Sequence, residues 1–285
     1  MQKHSYSFDA IGTQWTIETA AQLPKILIAE VQSQIAAFDA TYSRFRKDSL
    51  VTQAALHEGV FVFPHHAVPL FDFYHALYTL TDGRMTPLIG SMLEKAGYDA
   101  DYSLQPREQT MLPSWDEVLD WKGAILKTTQ PVTLDVGAAG KGYLVDLVSH
   151  VLEKAGINEY VVDASGDFRH RGVRENNVGL EHPSLTGKII GVIDVQNKSL
   201  CASASNRRAW GEGMHHIFDP ATMRPTQEII ATWVIADDTM TADGIATALF
   251  FAEPNRLLKQ FSFEYARLHS SGAIDYSPAF EGKLF

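Results

Sequence analysis

Apolar positions along this chain recur at two different spacings, and the change of spacing marks out the elements. Leu27, Ile28, Val31, Ile35 and Phe38 fall at helical intervals and predict an amphipathic helix that stops near Tyr42. A second stripe, Leu70, Phe73, Tyr74, Leu77 and Leu80, predicts another helix, ended by Asp82-Gly83. The clearest stripe is Leu144, Leu147, Val148, Val151 and Leu152, with Gly156 where a C-terminal cap belongs. It leads into the β-rich run Glu159 to Asp163, so helix and strand form one unit. Phe8 to Glu18 reads as two strand fragments punctuated by Gly12. Further strands are expected at Ile189–Val195 and Ile229–Ala236, and a last pair of helices over roughly Thr241–Phe251 and Pro254–Phe261. From Gly97 to Trp121 the pattern is polar and irregular, broken by Pro106 and Pro113, and reads as a surface excursion with room for one short helix.

Helices and strands mix without a regular βαβ alternation, which favours an α+β fold over a doubly wound sheet. There is no internal repeat, low-complexity tract or linker, and the length fits one large α+β domain or two small ones. Of the 285 residues, 45% are hydrophobic and 20% charged, enough for a soluble domain with a sizeable core. The net charge of −10 repels phosphate backbones and argues against nucleic acid as a partner. No apolar run approaches the ~18 residues of a membrane span. The single cysteine, Cys201, excludes an internal disulfide and a cysteine zinc site, and reads as a small buried apolar residue. Met1 to Tyr6 carries no apolar leader or lipobox, which as a native start implies the cytoplasm; a removed leader would imply the periplasm.

Three constellations could carry chemistry. Leu134 to Tyr143 (LDVGAAGKGY) precedes the third helical stripe; its glycines let backbone approach a ligand, and Lys141 can add a point charge for phosphate. It is neither GxGxxG nor a P-loop, and a structural loop with a solvated lysine accounts for it equally well. In Thr241-Ala-Asp-Gly-Ile-Ala-Thr247, Asp243 and Thr247 share a helix face and offer two hard oxygens to Mg²⁺, although Asp243 near a helix N-terminus would by itself complement the macrodipole. His215-His216-Ile-Phe-Asp-Pro220 holds a histidine that could be a base, a metal ligand or a packed residue.

Taken together, at their spacing, these motifs resemble the ApbE family of FAD:protein FMN transferases. That family's LDxGxxxKGYxxD run is matched by Leu134, Asp135, Gly137, Lys141, Gly142, Tyr143 and Asp146. Its Gly-Asp turn is similar to Ser165-Gly166-Asp167, its HHIxDP element to His215–Pro220, and its ADAxAT helix start to Ala242, Asp243, Gly244, Ala246 and Thr247. Gly12-Thr13, Tyr42 to Ser49 and Asp82 to Gly90 resemble the N-terminal signatures, so the likeness runs from about Phe8 to Ala266.

The resemblance implies one α+β domain over residues 1–285, with mixed or antiparallel sheets, packed helices and an FAD cleft between two halves. It implies Mg²⁺-dependent transfer of FMN from FAD to a threonine or serine of an acceptor flavoprotein, with release of AMP. The metal would be held by the Ala138 carbonyl, Asp243, the Ala246 carbonyl and Thr247. FAD would contact Ile11, Phe45, Arg84, Met85, Thr86, Asp135, Lys141 and Ile217, and His216 would assist the acceptor hydroxyl. The sequence departs from the pattern at Thr86, where the family has Asp, at Ser203 to Asn206 in its TSGD segment, at Ser165 in its GG pair, and at Met223, where it has Gly. Met223 is therefore expected at positive φ, at some cost. An FAD pyrophosphatase and a non-catalytic FAD-binding protein are the competing readings; the Asp243/Thr247 pair speaks against the latter.

Overall fold

The computed structural model describes residues 4–211 and 213–285, so Met1 to Lys3, part of the stretch read for a leader, lie outside the described residues. Eight strands form the central sheet: β1 (His4–Ala10), β2 (Thr13–Thr19), β3 (Tyr160–Asp163), β4 (Asp167–Arg171), β5 (Ser199–Ala204), β6 (Ile229–Ala236), β7 (Glu264–His269) and β8 (Ile274–Tyr276). Each is antiparallel to its neighbours, and the order across the sheet is the order along the chain. Four main helices accompany it: α1 (Lys25–Tyr42), α2 (Ala67–Leu80), α3 (Gly137–Lys154) and α4 (Thr239–Ala248).

The period-two rule assigns the two faces of the sheet. On β6, Val234 and Ala236 join the core under the helices, with Trp15, Ile17, Leu144 and Ile245. Ala231, Trp233 and Ile235 face the other way, into a second core covered by Leu180, Ile190 and Ile193 of the 176–181/189–195 hairpin. Because both faces are covered, β6 is apolar almost throughout, which made it legible as a strand. Cys201 is fully buried in the first core, as expected for a small apolar residue.

Two tight turns matter for the site. Ile11 (φ 44°) and Gly12 (φ 77°) close the β1–β2 hairpin with both central residues at positive φ, the geometry that matches strand twist. A β-branched residue there is strained. Ser165 (φ 58°) and Gly166 (φ 102°) do the same between β3 and β4, and deliver Asp167 as the first residue of β4. Met223 does sit at positive φ (54°).

Several expectations need correction. Only Leu134 to Val136 of the glycine-rich run precede the third helix; Gly137 to Tyr143 form its first turns. The last helix is shorter than expected, Pro254–Leu257. A helix at Leu50–Leu56 and a three-stranded sheet of Gly59–Val62, Ile125–Thr128 and Leu119–Lys122 were not anticipated. The 97–121 excursion does contain one short helix, Trp115–Val118. Among the described residues no helix is long and apolar enough to cross a membrane.

Candidate functional site

The site is built where the N-terminal halves of α3 and α4 touch. Glycine makes the contact possible: a Cβ on Gly142 would lie 2.3 Å from the Thr239 carbonyl oxygen and 2.6 Å from Asp243 Cβ. The start of α4 is fixed by two carboxylates. Asp238 caps it, accepting from Thr241 N at 2.7 Å, and Asp146 reaches across from α3 to accept from Thr239 N (2.9 Å) and Met240 N (2.8 Å). The N-terminal role available to Asp243 on sequence grounds is thus filled by other residues. Asp243 lies one turn further in, and its Oδ2 accepts from Gly142 N at 2.8 Å.

Asp243 is almost fully buried. Burial, followed by the Asp167 carboxylate, pushes its pKa well above the ordinary value. Between them stands Lys141, whose Nζ lies 2.6 Å from Asp167 Oδ2 and donates to the Ala164 carbonyl at 3.1 Å. Burial works against the lysine's charge, but Asp167 and Asp243 outweigh it and hold its pKa above the ordinary value. Asp167 is 1% exposed, and its Oδ1 is sealed without a hydrogen-bond partner. The cluster therefore sets two carboxyl groups around one ammonium, with an orphaned oxygen. Thr247 Oγ1 lies 3.2 Å from Ser203 Oγ, one α4 turn from Asp243. The Ala246 carbonyl accepts from buried Thr232 Oγ1 at 2.7 Å. Among the described residues there is no group of three or more His, Cys, Asp or Glu able to hold a metal. Any cation here must draw on carbonyl and hydroxyl oxygens as well, and carboxylate, hydroxyl and carbonyl are the hard donors that Mg²⁺ prefers. These residues fit such an ion.

A cavity of about 770 Å³ opens beside this cluster, large enough for a dinucleotide-sized ligand. On its far rim Arg44 Nε donates to Asp135 Oδ2 at 2.6 Å, while Asp135 Oδ1 accepts from Gly137 N at 2.7 Å. Burial tends to raise Asp135, but the Arg44 charge and these hydrogen bonds hold it below the ordinary value. Arg44 also lies 4.2 Å from the Phe45 ring centroid. Tyr102 stacks on Phe45 at 5.6 Å and 11°, and Tyr98 stacks on Trp210 at 5.8 Å and 18°. Arg84 donates to the Phe251 carbonyl (3.4 Å), and Met85 is buried with its N–H on Thr81 Oγ1. Thr86 Oγ1 accepts from Leu88 N and caps the short Pro87–Ile89 turn of 3₁₀ helix, a task Asp would also perform.

On the remaining wall, His215 Nε2 is 2.9 Å from the Thr226 carbonyl and its Nδ1 accepts from Ile217 N, so His215 is a packed residue. His216 faces the cavity, with Nδ1 sealed and unpartnered. Burial first, then the Arg208 charge, lower its pKa to about 3, so the imidazole is neutral near pH 7.

Ile11, Phe45, Arg84, Met85, Thr86, Asp135, Ala138, Lys141, His216, Ile217, Asp243 and Thr247 all line this one cavity. Ala246 does not; it is wholly buried behind Thr247. Sequence reasoning gave no role to Arg44, Tyr98, Tyr102, Asp167, Ser203 or Arg208, which line it too. Asp167 had a signal in the Ser165-Gly166-Asp167 turn, Arg44 in the Tyr42 to Ser49 signature, and Ser203 and Arg208 in the segment set against the family's TSGDYxR strand end.

The ApbE family model matches residues 11–267. The FAD:protein FMN transferase of Rhodobacter capsulatus is 27% identical over 223 residues, covering 72% of this chain and 42% of that protein. That of Vibrio cholerae is 25% identical over 249 residues (79% and 73%), and that of Escherichia coli K12 22% identical over 280 residues (86% and 77%). The chain thus spans under half of the first relative and about three quarters of the other two. Among solved structures, the ApbE protein from Thermotoga maritima has a TM-score of 0.85 at 23% identity over 97% of both chains. The flavin transferase ApbE from Vibrio cholerae has a TM-score of 0.81 at 21% identity over 98% of both. At these identities the structural likeness speaks for the fold.

Proposed function

We propose that this chain, which belongs to the ApbE family, transfers FMN from FAD to a threonine or serine hydroxyl of an acceptor protein, releasing AMP. The observation that carries this reading is the buried Asp243–Lys141–Asp167 cluster, with its orphaned oxygen, beside a cavity that also receives a neutral His216. In this reading Asp243, Thr247 and the Ala138 carbonyl hold Mg²⁺, with Ala246 supporting them from behind. Bound there, the ion would neutralise pyrophosphate charge and ease departure of the leaving phosphate.

The chain's own residues then divide the work. Neutral His216 accepts the proton of the acceptor hydroxyl as its oxygen attacks the FMN-side phosphorus. The new P–O bond forms as the bond from that phosphorus to the bridging oxygen breaks. AMP leaves with the electron pair, and the proton stays on the imidazole until solvent takes it. Phe45 and Tyr102 offer the flavin ring aromatic surface, and Arg84, Met85 and Thr86 line its side of the cavity. The walls of the cavity hold the reactants in register, where most of the rate gain of such transfers arises.

The test incubates the protein with FAD, Mg²⁺ and a candidate acceptor, following AMP release and the acceptor's intact mass. An FMN-sized mass gain that vanishes with chelator and in Asp243→Asn supports the reading. AMP and free FMN with an unmodified acceptor would replace it with hydrolysis, and full activity in Asp243→Asn would remove the metal assignment.

A further inference from the structure

The cations around the cavity are accounted for, with one exception. Arg44 is held by Asp135, Lys141 by Asp167, Arg207 by Glu181, and Arg84 stands 4.0 Å from Asp219. Among the described residues, no carboxylate, carbonyl or hydroxyl partners the Arg208 guanidinium. Its defined side-chain contact is the face of Tyr98, 5.8 Å from the ring centroid. Yet the side chain is half-buried and lines the cavity. Its position is fixed by backbone, because its carbonyl accepts from His216 N at 3.2 Å and thereby ties it to the imidazole. Its charge acts on His216, Asp135 and Asp243 together, so it stands within electrostatic reach of all three.

Guanidinium groups stay charged in proteins, and a charge taken partly out of water without a counterion costs stability. Asp135, on which this charge acts, cannot supply the counterion, since both of its oxygens are taken by Arg44 and Gly137. Among the described residues nothing supplies that counterion, which points to an anionic partner that enters the cavity. A planar fork of donors suits non-bridging phosphate oxygens. We propose that Arg208 binds the pyrophosphate of the nucleotide substrate and is the protein's principal phosphate ligand, a role that rests on the FMN-transfer reading. Lys141, the other candidate for that task, is already bound to Asp167 and Ala164. Arg208 makes and breaks no covalent bond and keeps its protons; it neutralises charge that grows on the leaving phosphate, so its contribution is larger in the transition state than in the ground state.

The experiment measures the affinity of the full chain, with Mg²⁺ present, for ADP, FAD and riboflavin, which lacks phosphate. Wild type is compared with Arg208→Ala, Arg208→Gln and Arg208→Lys, each checked for its melting transition. ADP and FAD should weaken by about tenfold or more in the Ala and Gln variants, as expected for losing a charged hydrogen bond. Lysine should recover part of the loss, and riboflavin should bind as before. ADP affinity within twofold of wild type in folded Arg208→Gln overturns the proposal, as does absence of ADP binding to the wild type. An equal loss for riboflavin also overturns it, leaving Arg208 as a prop for Tyr98. The two readings separate cleanly: a wild type that binds ADP through Arg208 but never modifies an acceptor refutes FMN transfer while the phosphate contact stands.

Discussion

Replacing Gly142 with alanine pits two simple effects of opposite sign against each other. On an isolated helix the change would stabilise by about 1 kcal/mol, because glycine is the poorer helix former. In this chain the added Cβ would stand 2.3 Å from the Thr239 carbonyl oxygen and 2.6 Å from Asp243 Cβ, where ordinary contact begins near 3.4 Å. Both obstacles belong to the α4 backbone or the atom next to it, so no side-chain rotation relieves them. Nor can α4 slide aside freely, since Thr239 N and Met240 N are tied to Asp146 on the same α3 that carries Gly142. The helices must part by roughly 1 Å, and overpacking of this kind costs about 1–3 kcal/mol. With backbone in the way we place the result at the upper end, leaving a net loss of about 2 kcal/mol after the propensity gain. Urea unfolding should show a lower midpoint at unchanged slope. Because Asp243 moves with α4, the proposed FMN transfer should fall by about 100-fold, the scale of a 1 Å misplacement. A Gly142→Ala protein as stable as wild type, or more so, would refute the claim that backbone contact sets the distance between these helices.

Two further outcomes follow from the charges. Lys141→Met leaves Asp167, 1% exposed, without its ammonium and should cost about 3–5 kcal/mol in urea unfolding; Lys141→Met with Asp167→Asn should recover most of it, and an equally unstable double variant would show that packing of the lysine stem matters instead. His216 is held neutral to about pH 3, against about 6.5 when unfolded, so its contribution to stability is fully present above about pH 6.5 and is lost as pH falls towards 3. His216→Gln should flatten that part of the stability curve, and the wild-type transfer rate should show no inflection between about pH 5 and 8; an inflection near 6.5 that disappears in His216→Gln would contradict a neutral, buried base.

Elements whose two faces differ, or whose apolar run is long, were legible in the sequence. The stripes of α1, α2 and α3 and the run of β6 each announce one buried side or two. The Gly59–Val62 strand escaped because Val60 and Val62 are exposed while Phe61 and Phe63 are buried, so apolar residues occupy both faces of a four-residue strand and no alternation remains. β4 escaped for the opposite reason: Asp167-Phe-Arg-His-Arg171 is mostly polar, yet Asp167 and His170 are buried there. The start of α3 was misread because three glycines depress helix propensity, and their use is visible only once α4 lies against them. Motif spacing did bring the Asp243, Lys141 and His216 segments to one cavity. It could not assign Arg208, whose meaning lies in a partner it lacks, nor Arg44, whose partner Asp135 is 91 residues away.

The sheet whose spatial order repeats its chain order has a consequence for how such a protein diversifies. Everything between Ala204 and Ala231, including Arg208, His216 and the strained Met223, hangs as a single excursion from two strands already paired to each other at that position. Such an excursion can be exchanged as a cassette, because the Ala204–Ala231 pair that anchors it lies at its base. Swapping it between relatives that keep Arg208 and His216 is a route to a cavity with new preferences while the meander beneath stays unchanged.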